Sequence, residues 1–79
     1  MAKKIKVIGK LIPNDWDFET DELIQLAVET ENDETYIIEN LDIVKVIEEH
    51  VNQKIEVTGK VWEDTIGDKY IDLTDFAFL

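Results

Sequence analysis

Two segments of this chain alternate apolar and polar residues and carry a glycine where a core side chain is expected. Gly9 holds this position in residues 4–12, where most of the polar residues are lysines, and Gly59 holds it in residues 54–62. The two segments are near repeats of each other. A glycine on the inward face of a strand marks a bulge or a sharp bend. The sequence therefore predicts two strongly bent strands, as a small closed sheet requires.

Three further segments have the two-residue period of a half-buried strand. They are residues 24–29, 35–39 and 70–78. Residues 31–34 predict a hairpin turn between the second and third strands, and Pro13 with Asn14 is expected to end the first strand. The inward positions of these segments are predicted at Ile24, Leu26, Val28, Tyr36, Ile38, Ile71, Leu73 and Phe76.

At Asn40 the apolar period changes from that of a strand to that of a helix. Residues 41–51 predict an amphipathic helix with Asn40 as its N-cap, and Asn52 suits the left-handed residue that ends it. Its apolar side is formed by Ile43, Val44, Val46, Ile47 and Val51. The many β-branched residues lower the intrinsic helix propensity, so packing against the strands has to hold this element.

The composition restricts the chemistry that the chain can perform. Its 79 residues suffice for a single domain, residues 1–79, with one hydrophobic core. Cysteine and serine are absent and there is one histidine, which removes the commonest pairs of nucleophile and base. The acidic residues that alternate along residues 15–21 lack the glycine and the terminal glutamate of a calcium-binding loop. We therefore expect a protein that is not an enzyme and has no cofactor or metal site.

The sequence also carries information about location. No apolar run approaches the roughly 20 residues that cross a bilayer, and the N-terminal lysines are not followed by the apolar stretch of a signal peptide. The absence of cysteine fits a reducing compartment. These features predict a cytoplasmic protein that does not contact membranes.

The order of three strands, a helix and two strands, with glycine bends in the first and fourth strands, resembles the OB-fold. The details are similar to those of small stand-alone bacterial OB-fold proteins: a loop of tryptophan and acidic residues, Tyr-Ile-Ile-Glu at residues 36–39 and Val-Thr-Gly-Lys at residues 57–60. The resemblance spans nearly the whole chain. It implies an all-β, five-stranded Greek-key barrel of the OB type with one α-helix between strands 3 and 4, and it brings no catalytic motif.

OB-folds place ligands across strands 2 and 3, between the loop joining strands 1 and 2 and the loop joining strands 4 and 5. The outward residues predicted there are acidic and include no row of aromatic side chains: Gln25, Ala27, Glu29, Thr35, Ile37 and Glu39. Aromatic residues flank this surface instead, with Trp16 and Phe18 in the first loop and Trp62 and Tyr70 beside the second. They can form one aromatic patch offered to a partner, or fold back to cap the core. The small size of the core favours capping.

The leading hypothesis is a binding module that contacts a protein partner through the end of the barrel that carries these two loops. Exposed aromatic side chains dominate protein interfaces, and acidic loops steer a partner with a basic surface. The residues predicted for this contact are Asp15, Trp16, Asp17, Phe18, Trp62 and Tyr70.

The alternative is an OB domain that binds single-stranded nucleic acid. A net charge of −11 and the absence of arginine oppose it, because phosphate chains are repelled and no guanidinium fork is present. Five lysines nevertheless point outward from strands 1 and 4, and we call them the lysine stripe: Lys4, Lys6, Lys10, Lys54 and Lys60. The stripe either binds phosphates or protects the sheet from aggregation, and the second interpretation is favoured.

Overall fold

The computed structural model describes residues 3–79. The strands are β1 (Lys3–Trp16), β2 (Leu23–Glu29), β3 (Thr35–Ile38), β4 (Lys54–Glu63) and β5 (Lys69–Phe78). They form a closed barrel in the order β1-β2-β3-β5-β4, in which only β3 and β5 are parallel neighbours. A short helical segment lies between β3 and β4. The predicted five-stranded barrel with one helix in this position is confirmed.

β1 closes the barrel because it pairs with two strands in succession. It runs antiparallel to β4 from Lys3 to Lys10 and antiparallel to β2 from Lys10 to Trp16. Gly9 lies just before this change of partner, and a Cβ atom there would overlap the carbonyl oxygen of Glu29. The predicted role of this glycine therefore has a specific cause, which is the close approach of the β2 backbone.

β1 continues beyond the point where we expected it to end. Pro13 and Asn14 lie inside the strand, which runs on to Trp16 with irregular register. The Leu11 N–H and C=O point away from β2, towards Gln53 and Asn52. Backbone groups alternate in direction along a strand, so the nitrogen of Pro13, which carries no hydrogen, also points away from β2. The proline therefore costs no hydrogen bond to β2, and the strand continues.

The core contains most of the predicted inward residues. Buried apolar side chains from all five strands and the helical segment form one cluster: Val7, Leu11, Leu26, Val28, Tyr36, Ile38, Val44, Ile47, Ile55, Val57, Ile71 and Leu73. Phe76 packs against it, because a register shift after Leu73 restores its inward orientation. Two predictions are wrong: Ile24 is 40% exposed near the start of β2, and Ala27, expected on the surface, is fully buried.

The helical segment is shorter and less regular than predicted. Its α-helical part, α1 (Val44–Ile47), is flanked by 3-10 turns at Leu41–Ile43 and Glu48–His50. α1 buries Val44 and Ile47 but leaves Val46 67% exposed, so the predicted apolar side is too wide. A segment this short gains little from helix propagation, so it depends on packing. No helix within residues 3–79 is long and apolar enough to cross a membrane.

Asn40 and Asn52 lie at the two ends of this segment, where the sequence predicts an N-cap and a left-handed residue. Asn40 makes no capping hydrogen bond. Instead its Oδ1 accepts from the Leu73 amide at 2.7 Å and its Nδ2 donates to the Leu73 carbonyl at 3.2 Å. Asn40 thus occupies the predicted N-cap position, but its side chain bonds Leu73 beside the register shift of β5 and does not cap the helical segment. Asn52 has φ 75°, which confirms the predicted left-handed residue.

Candidate functional site

One apolar row crosses the outer surface of the barrel through all five strands. Each member is the register partner of the next, and we call this set the apolar row: Ile12, Ala27, Ile37, Tyr70 and Trp62. None of the five belongs to the core cluster. The surface predicted to be acidic is therefore apolar along its centre.

The burial of Ala27 follows from its place in the apolar row. Its side chain is small and lies between the register partners Ile12 and Ile37, which are half-buried. The two isoleucines therefore cover the alanine from outside. Alternation identified Ala27 and Ile37 as outward residues, but it could not align them with Ile12 and Tyr70, because that alignment depends on the register between strands.

The aromatic end of the apolar row is ordered by the loop between β4 and β5. Trp62 and Tyr70 stack with ring centroids 4.4 Å apart and an interplanar angle of 11°. The Tyr70 hydroxyl donates to Asp64 Oδ2 at 3.0 Å. Asp64 Oδ1 accepts from the Ile66 amide at 3.1 Å and from the Asp68 amide at 2.9 Å. One carboxylate thus shapes residues 64–68, here called the Asp64 loop, and holds the tyrosine against the tryptophan.

The hydrogen bonds of the Asp64 loop shift the pKa values of Asp64 and Tyr70. Desolvation raises the pKa of the Asp64 carboxyl, but hydrogen bonds from the Asp68 amide, the Tyr70 hydroxyl and further amides bring it below its ordinary value. The hydrogen bond to Asp64, aided by desolvation, raises the pKa of the Tyr70 hydroxyl. At neutral pH the pair is therefore a carboxylate and a neutral phenol, the forms that this hydrogen bond requires.

The other predicted aromatic pair lies at the start of the acidic loop, residues 17–22. Trp16 ends β1 opposite Leu23 and is 48% exposed, while Phe18 is 97% exposed. The loop is closed by the Asp17 amide, which donates to the Glu22 carbonyl at 2.8 Å, and by the Asp21 amide, which donates to the Asp17 carbonyl at 2.9 Å. Phe18 does not cap the core, so the favoured capping interpretation is wrong for it, while Trp16 has about half of its surface exposed.

The structure does not gather the four aromatic residues at one end of the barrel. The acidic loop precedes β2. The Asp64 loop lies beside the turn that follows β2, as the hydrogen bond from Lys69 to Glu34 at 3.2 Å shows. Trp16 and Phe18 are thus separated from Trp62 and Tyr70 along the β2–β3 hairpin. The other members of the apolar row, Ile12, Ala27 and Ile37, lie on β1, β2 and β3 between the two pairs. The flanking loops therefore border one face and do not form one patch.

The turn between β2 and β3, residues 30–34, is tied to β5 by a three-residue cluster. Glu34 accepts hydrogen bonds from Lys69 and from the Tyr36 hydroxyl, at 3.2 and 3.1 Å. These two bonds hold the pKa of Glu34 below its ordinary value. Desolvation and the Glu34 carboxylate raise the pKa of Tyr36. The cluster fixes the turn against the barrel.

The lysine stripe is exposed along the paired strands β1 and β4. Lys4 lies directly opposite Lys60, and Lys10 lies directly opposite Lys54. Lys6 forms an ion pair with Glu56 at 3.5 Å. Like charges in directly opposed positions are destabilising. Each pair also borders a carboxylate, since Lys60 lies opposite Asp72 on β5 and Lys10 lies opposite Glu29 on β2.

His50 lies at the end of the helical segment and packs against β5. The His50 ring packs on Phe78 with centroids 4.2 Å apart, and its Nδ1 lies 3.2 Å from Gln53 Oε1. Within residues 3–79 no group of three or more histidine, cysteine, aspartate or glutamate side chains could hold a metal ion.

The comparisons with known proteins add no family to this description. No family model matches the sequence, and no curated protein or solved structure gives a significant match to the chain.

Proposed function

We propose that this chain is a small, non-catalytic binding module of the OB type that contacts a protein partner with a basic and apolar surface. The contact would use the face between the acidic loop and the Asp64 loop. The barrel topology and the helix after β3 support the OB assignment. The absence of cysteine supports a cytoplasmic setting for this activity.

The observation that carries the proposal is the exposure of Trp16 and Phe18 beside the apolar row. Phe18 is 97% exposed and lies in a hydrogen-bonded loop. Burying such a side chain is worth about 2 kcal/mol, so a partner that covers both aromatics gains substantially. Trp16 lies on the strand that also carries Ile12 of the apolar row, so a partner that covers it can extend its contact onto the sheet.

Charge supports a basic partner. The segment around the two aromatics carries five acidic residues and no lysine: Asp15, Asp17, Glu19, Asp21 and Glu22. A partner with a basic rim would be steered to this loop, and the association rate would fall with added salt. The aromatic contacts would then determine how long the complex lasts.

Site-specific photo-crosslinking followed by affinity measurement tests the proposal. A photoreactive residue placed at position 18 should capture a partner that the same residue at position 46, in α1, does not. Trp16→Ala and Phe18→Ala should each weaken the purified complex by about 30-fold, as expected for interface anchors worth about 2 kcal/mol. Val46→Ala is the control, because Val46 is 67% exposed in α1, outside the strands that form the proposed face.

The proposal fails if both aromatic variants bind the captured partner as tightly as the wild type does. It also fails if these variants lower the free energy of unfolding by several kcal/mol, because the side chains would then belong to the fold. Urea unfolding of the three variants makes that distinction.

Binding of single-stranded nucleic acid remains a second candidate, and the opposed lysine pairs favour it. Phosphates bridging Lys4 with Lys60 and Lys10 with Lys54 would remove the repulsion within each pair. Titration of labelled single-stranded DNA and RNA at about 0.05 M salt tests this candidate. Amide shifts along β1 and β4 would support it, and an absence of binding would exclude it.

A further inference from the structure

β1 has a free edge along its first half. Between Lys3 and Gly9 it pairs with β4 on one side, and its pairing with β2 begins only at Lys10. Among the described residues, no other backbone hydrogen bond reaches Lys3–Gly9 from a turn or loop. β2 ends at Glu29, opposite Lys10, so no strand continues along this edge.

The alternation of backbone groups shows which residues present free donors and acceptors. Leu11 directs its N–H and C=O to the β4 side, where they bond Gln53 and Asn52. The register between β1 and β4 is regular from Lys3 to Lys10. By alternation, Val7 and Gly9 also face β4, while Lys6 and Ile8 direct their N–H and C=O groups away from it. These groups form the available edge.

The edge borders an open groove of about 960 Å³ between β1 and the turn that follows β2. Val7 and Tyr36, both nearly buried, contribute apolar lining, and Ile8 is 46% exposed on the outer side. A strand in this groove would place alternate side chains against the apolar lining and beside the lysine stripe. The groove therefore fits an extended segment of peptide.

The charged residues along the edge of β1 determine which kind of peptide segment can bind there. At the outer end of the edge, Lys4 faces Lys60 and Lys6 lies next in the stripe, so carboxylates opposite them would be favourable. Farther along, carboxylates outnumber lysines in the groove lining, so a further carboxylate would be less favourable there: Glu29, Glu31, Asp33 and Glu34 against Lys10 and Lys54. The edge thus distinguishes its two ends by charge.

We propose that a protein partner adds an extended segment to this edge as an extra strand, antiparallel to β1, with carboxylates opposite Lys4 and Lys6. Apolar side chains of the segment would face Val7 and Tyr36, and a neutral residue would lie opposite Ile8. Backbone hydrogen bonds to Lys6 and Ile8 would supply affinity, and the lysines would supply selectivity. This contact is independent of the aromatic face described above.

Lysines on a free edge also prevent unwanted strand pairing, and this protective role is compatible with recognition of an acidic strand. An edge lined with lysine rejects other basic edges and admits an acidic strand, so the repulsive element itself confers specificity. A purely protective role predicts that no strand binds. The test can therefore separate the two interpretations.

Hydrogen exchange in the free protein tests the edge itself. The amides of Lys6 and Ile8 should exchange faster than those of Val7 and Gly9, because only the latter are bonded to β4. Equal protection of all four amides would overturn the proposal, since no free donors would then be available.

Binding is tested on the full chain with the peptide acetyl-Thr-Val-Glu-Val-Glu-Val-amide, followed by amide chemical shifts. In the antiparallel register its threonine lies opposite Ile8 and its glutamates lie opposite Lys6 and Lys4. The peptide should shift amides along the first half of β1 and slow the exchange of Lys6 and Ile8. The same peptide with lysine in place of glutamate is the control and should bind at least about tenfold more weakly.

Two pairs of variants separate backbone pairing from charge. Ile8→Pro removes an unbonded N–H and should fold but lose the peptide, while Ile8→Thr keeps the N–H and should retain it. Lys6→Glu should weaken the glutamate peptide by about tenfold and strengthen the lysine peptide.

Three outcomes would overturn the proposal: no shifts at low salt, shifts confined to the acidic loop, or unchanged peptide binding by Ile8→Pro. A further result would assign the edge lysines to phosphate binding: single-stranded DNA binds equally to Ile8→Pro and to the wild type, and the glutamate peptide binds to neither protein.

Discussion

At the residue scale, the two inward glycines are required by neighbouring backbone and not by their dihedral angles. A Cβ at Gly9 would overlap the carbonyl oxygen of Glu29, and a Cβ at Gly59 would overlap that of Asp72. In both places a strand crosses another closely because the barrel is small. Asn40 follows the end of β3, and its side-chain amide bonds both backbone groups of Leu73 on β5.

We expect Gly9→Ala and Gly59→Ala each to lower the free energy of unfolding by about 1–3 kcal/mol, because backbone atoms have to move to admit the methyl group. Urea unfolding followed by circular dichroism measures this loss. Thr58→Ala is the control in the same strand and should cost less than about 1 kcal/mol. If all three variants have the same stability, the close approaches do not constrain the barrel.

At the element scale, β1 and the Asp64 loop determine what the surface offers. β1 spans 14 residues and supplies the free edge, then Ile12 of the apolar row and then the exposed Trp16. The Asp64 loop holds Tyr70 on Trp62 through the bonds of one carboxylate. One long strand therefore takes part in both candidate surfaces, and one hydrogen-bonded loop orders the aromatic end of the apolar row.

We expect Asp64→Ala to destabilise the protein at neutral pH by an amount that shrinks on acidification. Because the pKa of Asp64 is lower in the folded state, its contribution is complete above the unfolded pKa of about 4 and is lost as the pH falls through the folded pKa. Urea unfolding of wild type and variant across this pH range measures the difference.

Trp62 fluorescence in a Trp16→Phe background should report loosening of the stack in the same variant. A stability difference that stays constant down to the lowest pH would show that the charge of Asp64 does not matter.

At the scale of the whole molecule, charge opposes the compact state. The chain has 19 acidic residues against eight lysines, and the ion pairs among the described residues are Lys6–Glu56 and Lys69–Glu34. Five of the lysines lie in one stripe, so the remaining surface is more acidic than the net charge indicates. A strongly acidic domain with one basic edge is suited to distinguish partners by the sign of their charge.

We expect sodium chloride to raise the thermal midpoint by several degrees between about 0.01 and 0.15 M. Over this range the Debye length shortens from about 30 to about 8 Å, which screens repulsion among distant carboxylates. Chloride is preferable to sulfate, because sulfate also strengthens apolar burial. A midpoint that falls with salt would mean that attractive pairs outweigh the net repulsion.

The sequence alone determined the elements and most of the core, because the two-residue period and the change at Asn40 are local properties of the chain. It also predicted the outward lysines and the left-handed Asn52. The helix was predicted too long, because the β-branched residues of 41–51 have little intrinsic preference for it and packing decides how much forms.

The register between strands decided which residues lie next to each other on the surface of the barrel. It aligns Ile12, Ala27 and Ile37 into one row, buries an alanine expected in water and separates the two aromatic pairs. It also ends β2 opposite Lys10 and leaves the edge of β1 open. These are relations between distant residues, and alternation within a strand says only which side a residue faces. Which neighbour it meets there depends on how the barrel closes.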